Sequence, residues 1–112
     1  MSAKLLVWAG SSRADVRALP AEPRRALGFD LRRVQGGRLP RDWKPMPTIG
    51  PGVVEIRVRD KSGAYRLLYV AKFAEAVYVL HAFQKKSQKT SGLDLELAKK
   101  RYDVIRGARK EQ

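Results

Sequence analysis

Between Val53 and Gln84 the sequence admits one kind of structure. Val53 to Arg59 alternates strictly, with Val54, Ile56 and Val58 on one side and Glu55, Arg57 and Arg59 on the other. That is the period of a strand with two different faces. Asp60-Lys61-Ser62-Gly63 has the composition of a turn. Ala64 to Phe73 and Ala76 to Gln84 are two further strand-like runs, separated only by Ala74-Glu75. Links this short leave no room for a crossover, so the three strands are antiparallel neighbours.

Polarity selects the register. If Arg59 pairs with Ala64 and Phe73 with Ala76, Arg57 lies opposite Arg66 and Arg66 opposite Phe83, while Leu68 lies between Glu55 and His81. One face then carries Glu55, Arg57, Arg59, Arg66, His81, Phe83 and Lys85. The other carries Ile56, Val58, Tyr65, Leu67, Tyr69, Tyr78, Leu80 and Ala82. A slip of one residue mixes the two sets. Arg57 beside Arg66 is a like-charge pair that costs stability unless an anion bridges it. Glu55 can relieve it from within and a nucleic-acid phosphate from outside. Phe83 offers a surface on which a base can stack.

The remaining chain supplies what packs on this sheet. Lys4 to Trp8 reads as a first strand at or near an edge. Ser11 or Ser12 can cap a short helix from Arg13 to Leu19, with Asp15 completing a box-like cap. Glu22-Pro23 suits a first helical turn. Arg24 to Gln35 follows with Leu27, Leu31 and Val34 at helical spacing and Phe29 at the edge of that stripe, and Gly36-Gly37 ends it. Residues 38–52 hold four of the six prolines, which forbid a helix and disfavour a central strand. Trp43 and Met46 are expected to pin this loop to the body. A last helix runs from about Leu93 to Arg106, with Leu93, Leu97, Tyr102 and Ile105 as its apolar positions. The expected fold is α+β: a small antiparallel sheet, in the order β-α-α-β-β-β-α, packed on an αα-hairpin. A chain of 112 residues suits one domain, 1–112.

Charge narrows the function. Lys and Arg total 24 against 11 Asp and Glu, a net +13. So large an excess repels itself unless a polyanion or an acidic partner relieves it, and it points first to nucleic acid. Cysteine is absent, which removes thiol nucleophiles, disulfides and cysteine metal sites and fits a reducing cytoplasm. The apolar run near the N-terminus is too short for a signal peptide, no stretch is long enough to span a membrane, and no cofactor is expected.

Three segments, VWAGSSRADVRALP at 7–20, DWKPMPTIGPGVVEIRVRDKSGAYRLLYVAKF at 42–73 and YVLHAFQKKSQKT at 78–90, resemble toxins of the RelE/ParE superfamily in its HigB-like, phage-derived branch. The resemblance implies a ribosome-dependent endoribonuclease that cuts mRNA without a metal ion and is silenced by a cognate antitoxin, often a helix-turn-helix protein. It implies that Arg66 neutralises the scissile phosphate, that Lys85 and Lys86 stand near the leaving group, and that Arg57, Arg59 and Lys89 grip RNA with Phe83. His81 is one candidate acid-base residue and Tyr102 in the C-terminal segment is another. The antitoxin is expected to compete with RNA, by covering the basic sheet or displacing the last helix. The superfamily also contains gyrase-binding toxins that cut nothing, and a non-catalytic RNA-binding phage accessory protein fits the same charge.

Overall fold

The computed structural model describes residues 3–87 and 89–110. Its elements are β1 (Leu5–Trp8), α1 (Ser12–Arg17), α2 (Ala21–Gln35), β2 (Trp43–Pro45), β3 (Val53–Asp60), β4 (Gly63–Val70), β5 (Ala76–Lys85) and α3 (Gly92–Lys110). They form one five-stranded sheet in the order β1-β5-β4-β3-β2. The α+β class is as expected. The sheet is mixed, however, because β1 lies parallel to β5 at the edge while the other pairs are antiparallel. Separated in sequence by both helices and three strands, β1 is free to enter beside β5 in either direction.

Both faces of the sheet are covered. On one, α1 and α2 bring Val16, Leu27, Leu31 and Val34 against Ile56, Leu67, Tyr69, Val77, Val79 and Ala82. On the other, Ala98 and Tyr102 of α3 meet Val53, Leu68, Val70, Leu80 and Ile49. Strand β4 is central, and every residue from Tyr65 to Val70 is buried. Burial of α3's apolar stripe is what makes this last helix stable, since propensity alone leaves isolated helices marginal.

The register expected from polarity is the one observed at the polar end: Arg59 with Ala64, Arg57 with Arg66, Arg66 with Phe83, and Leu68 with His81. One position further the β4–β5 pairing slips, and Tyr69 meets Val79. A bulge at Leu80 absorbs the extra residue. Alternation therefore restarts, so Val77 and Val79 face the αα-hairpin while Tyr78 and Leu80 face α3. Placing Tyr78 and Leu80 under the αα-hairpin is thus corrected. A bulge lets two successive residues face the same side, and polarity cannot reveal it when every side chain involved is apolar.

Two further expectations change. The Pro-rich segment contains β2, paired with β3 at the edge, where Pro45 costs no central hydrogen bond. There Trp43 stays 39% exposed, and it is Met46 and the buried Ile49 that pack against the body. In α3 the sheet-facing residues are Leu95, Ala98, Tyr102 and Ile105, whereas Leu93 is 80% and Val104 71% exposed. At the N-terminus of α1, Ser11 Oγ donates to Asp15 Oδ2 at 2.8 Å, and the buried Ser12 Oγ donates to the Val79 carbonyl at 3.3 Å. Buried Asp30 of α2 accepts from the backbone and the guanidinium of Arg41, tying the irregular segment to the helix.

Leu67 is fully buried in the central strand against the αα-hairpin. Leu67→Ala is expected to lower stability by about 2–5 kcal/mol in denaturant unfolding, because the surrounding core closes the cavity only in part. A loss below about 1 kcal/mol would contradict this packing.

Candidate nucleic-acid interface

The polar ends of β3, β4 and β5 lie side by side because their register aligns them. Arg57 and Arg59 project from β3, Arg66 from β4 and Lys85 from the end of β5. Together with Lys86, Ser87 and Ala64 they line an open cavity of about 450 Å³. Among the described residues five cations line it and no carboxylate does. Such a surface attracts a polyanion through each phosphate it neutralises.

Arg66 is the floor. It is 3% exposed, and its Nε lies 3.4 Å from Oε1 of Glu55, which is equally buried. Nη1 donates to the Tyr65 carbonyl at 3.1 Å, while Nε has no hydrogen bond of good geometry. Thr90 Oγ1 donates to the other carboxylate oxygen of Glu55 at 3.3 Å. Desolvation pushes the Arg66 guanidinium below its ordinary value, Glu55 offsets part of this, and Arg57 and Arg59 add to the depression. An arginine starts so high that it stays charged at neutral pH. Lys85 is likewise held below the usual lysine value, first by desolvation and then by Arg66, with Glu55 opposing and Arg57 and Lys44 contributing. Crowded like charges with one internal counter-charge make a site whose electrostatic cost an incoming phosphate relieves.

A family model of phage-derived Gp49-like proteins (DUF891) matches residues 14–103. The chain belongs to that family. The match includes all five cavity cations and four of the five strands of this Gp49-like fold. Comparison with curated proteins finds no match.

Of the expected site residues, the structure brings together Arg57, Arg59, Arg66, Lys85 and Lys86. It does not bring His81, Phe83 or Lys89 to the cavity wall. His81 is buried under the start of α3, with Nε2 2.6 Å from Asp94 Oδ1 and Nδ1 buried without a partner. Phe83 stacks on the His81 ring, centroids 5.0 Å apart, and packs against the α3 core, so one of its faces is already occupied. Lys89 is exposed on the segment leading to α3. Tyr102 is 1% exposed and its hydroxyl donates to the Pro51 carbonyl at 2.8 Å, on the far side of the α3 core from the cations. Sequence reasoning missed Asp94 as the partner of His81. The signal present was Asp94 at the start of a helix after Ser91, whose hydroxyl accepts from the Asp94 backbone N–H at 3.1 Å. Nothing local indicated that this turn would land on β5. Among the described residues no cluster of three or more His, Asp or Glu side chains is arranged to hold a metal ion.

Two outcomes follow. Tyr102→Phe is expected to cost about 1 kcal/mol of stability in denaturant unfolding, through the hydrogen bond lost to the Pro51 carbonyl. An unchanged unfolding free energy would contradict that hydrogen bond. Arg57→Gln removes one of the charges that depress Lys85. The Lys85 ammonium should then titrate at higher pH, read by NMR of its side-chain carbon next to nitrogen, and an unmoved titration would contradict the cavity geometry.

Proposed function

We propose that this chain is the toxin of a toxin–antitoxin system, and that it cuts mRNA on the ribosome by attack of a ribose 2′-hydroxyl on the adjacent phosphate. The observation that carries this reading is the cavity of Arg57, Arg59, Arg66, Lys85 and Lys86, whose lining among the described residues holds no carboxylate. Its similarity to RelE-like and HigB-like sequences supports the same chemistry. In that reaction the 2′-oxygen forms a bond to phosphorus and the bond to the 5′-oxygen breaks, leaving a 2′,3′-cyclic phosphate and a 5′-hydroxyl. The proton of the 2′-hydroxyl is lost to solvent water, and another is delivered to the 5′-oxygen by a group of the cavity.

The residues divide these tasks. Arg66 and Arg57, adjacent across β3 and β4, bracket the phosphate and stabilise the charge that grows on its oxygens. Arg66 is suited to this because Glu55 fixes it in place before substrate arrives. Lys85, at the end of β5 and held below the usual lysine value, is matched to donate the proton to the leaving oxygen. His81 and Asp94 act one step back, holding the end of β5 and the start of α3 together. Arg59 and Lys89 extend the grip along the RNA strand. A cognate antitoxin then has an acidic surface to match this one.

The decisive experiment induces the protein in growing cells and maps the 5′ ends of transcripts against reading frame. Cuts in phase with codons are expected, and Lys85→Gln should lower them at least about tenfold while leaving the fold intact. Lys85 is preferred to Arg66 as the target, since removing Arg66 strands Glu55 as an unpaired buried charge at a cost of about 3–5 kcal/mol. Growth arrest with intact mRNA would sink the nuclease reading and favour a toxin acting on another target.

A further inference from the structure

A second surface stands apart from the cationic cavity and shares no lining residue with it. Between α3 and the corner joining β1 to α1 lies a groove of about 500 Å³, lined by Ala9, Gly10, Leu97, Val104 and Ile105 with Lys100 and Arg101. Its floor and walls are apolar, and among the described residues the only charges that line it are the two cations. On β1, Leu6 and Trp8 pack toward the αα-hairpin. The alternation of a strand therefore turns Leu5 and Val7 to the face that α3 occupies. They remain 71% and 39% exposed, because α3 packs on β5 and stops short of the edge. The apolar surface thus continues from α3 onto an uncovered strip of the sheet.

The groove is rigid. Arg101 donates from Nη1 to the Leu80 carbonyl at 2.9 Å and from Nη2 to Ser11 Oγ at 3.1 Å, bolting α3 to both β5 and the start of α1. Gly10 adopts a φ of +52° directly against this guanidinium, a backbone state that glycine tolerates and a side chain would disturb. A surface fixed this firmly is preorganised to receive a partner.

We propose that this groove docks an amphipathic helix of a partner protein, apolar on the buried face and acidic beside it. The shape argues for a helix. Leu97 and Val104 stand two turns apart on α3, the repeat at which a second helix inserts its own apolar side chains. The uncovered strip beside α3 is bounded by the sheet edge, where a helix can lie alongside α3 at the usual 8–10 Å. The charge argues for acid. Lys100 and Arg101 line the groove itself, while Glu96 and Asp103 lie beyond Leu97 and Lys100 on the adjoining face of α3; on a chain of net charge +13 carboxylates are still attracted, whereas a second copy brings cations to cations.

The test uses the full chain and a synthetic peptide of about 21 residues, three heptads long, with leucines at the seam and glutamates flanking them. Binding is followed by fluorescence anisotropy. The pair Leu97→Gln and Val104→Gln, both at side chains that are not buried, should weaken binding by about tenfold or more without changing the melting temperature. The same peptide with its leucines replaced by serine should fail to bind the unaltered protein. The pair Arg57→Gln and Lys85→Gln should leave peptide binding intact. Equal binding to the groove variant, or loss of binding in the cavity variant, would overturn the proposal. So would a concentration-dependent dimer in sedimentation that the groove variant dissolves, since the occupant is then a second copy.

Discussion

Strand β4 is covered on both faces, and that constraint shapes the rest of the molecule. A central strand buried from Tyr65 to Val70 ordinarily excludes charge. Arg66 sits within it all the same. Its guanidinium is tolerated because Glu55, one strand away and equally buried, lies 3.4 Å from it. Breaking such a pair costs far more than its formation contributes. The pair is therefore weak evidence for stability and good evidence for position. It anchors one positive charge at the bottom of a cavity whose rim is made of more exposed cations, Arg57, Arg59, Lys85 and Lys86.

The two faces of the sheet then take different parts. The αα-hairpin face is mostly apolar, with buried Ser12 and Asp30 each hydrogen-bonded within it. The α3 face is divided: its middle is a second core around Tyr102 and Leu68, one end opens as the cationic cavity, and the β1 side is left uncovered beside an apolar groove. His81 and Asp94 mark the boundary between the core and the cations. The histidine that most resembled a reactive group in the sequence is instead the place where the C-terminal helix meets the sheet.

How much of this was legible in the residues follows from the range of each interaction. Alternation from Val53 to Arg59 is a local property, and the charges on it break the symmetry between the two registers, so Arg57, Arg66 and Phe83 came out opposite one another as observed. From Tyr78 to Leu80 every candidate side chain is apolar, and polarity no longer distinguishes a bulged strand from a regular one. In α3 two apolar stripes share one helix. Leu95, Ala98, Tyr102 and Ile105 compete with Leu93, Leu97 and Val104 for the sheet, and periodicity ranks neither.

What the sequence by itself determined is the set of local facts: an α+β element order, three antiparallel strands with short links, a polar and an apolar edge to each, and a net charge that calls for an acidic or polyanionic partner. The tertiary structure alone decided the direction of β1, the bulge that turned Leu80 toward α3, the stripe of α3 that is buried, and the capture of His81 by Asp94. Each of these depends on groups distant in the chain meeting in space. Local propensity is indifferent to such encounters, and burial of apolar surface, which is non-directional, settles them only when the whole chain packs.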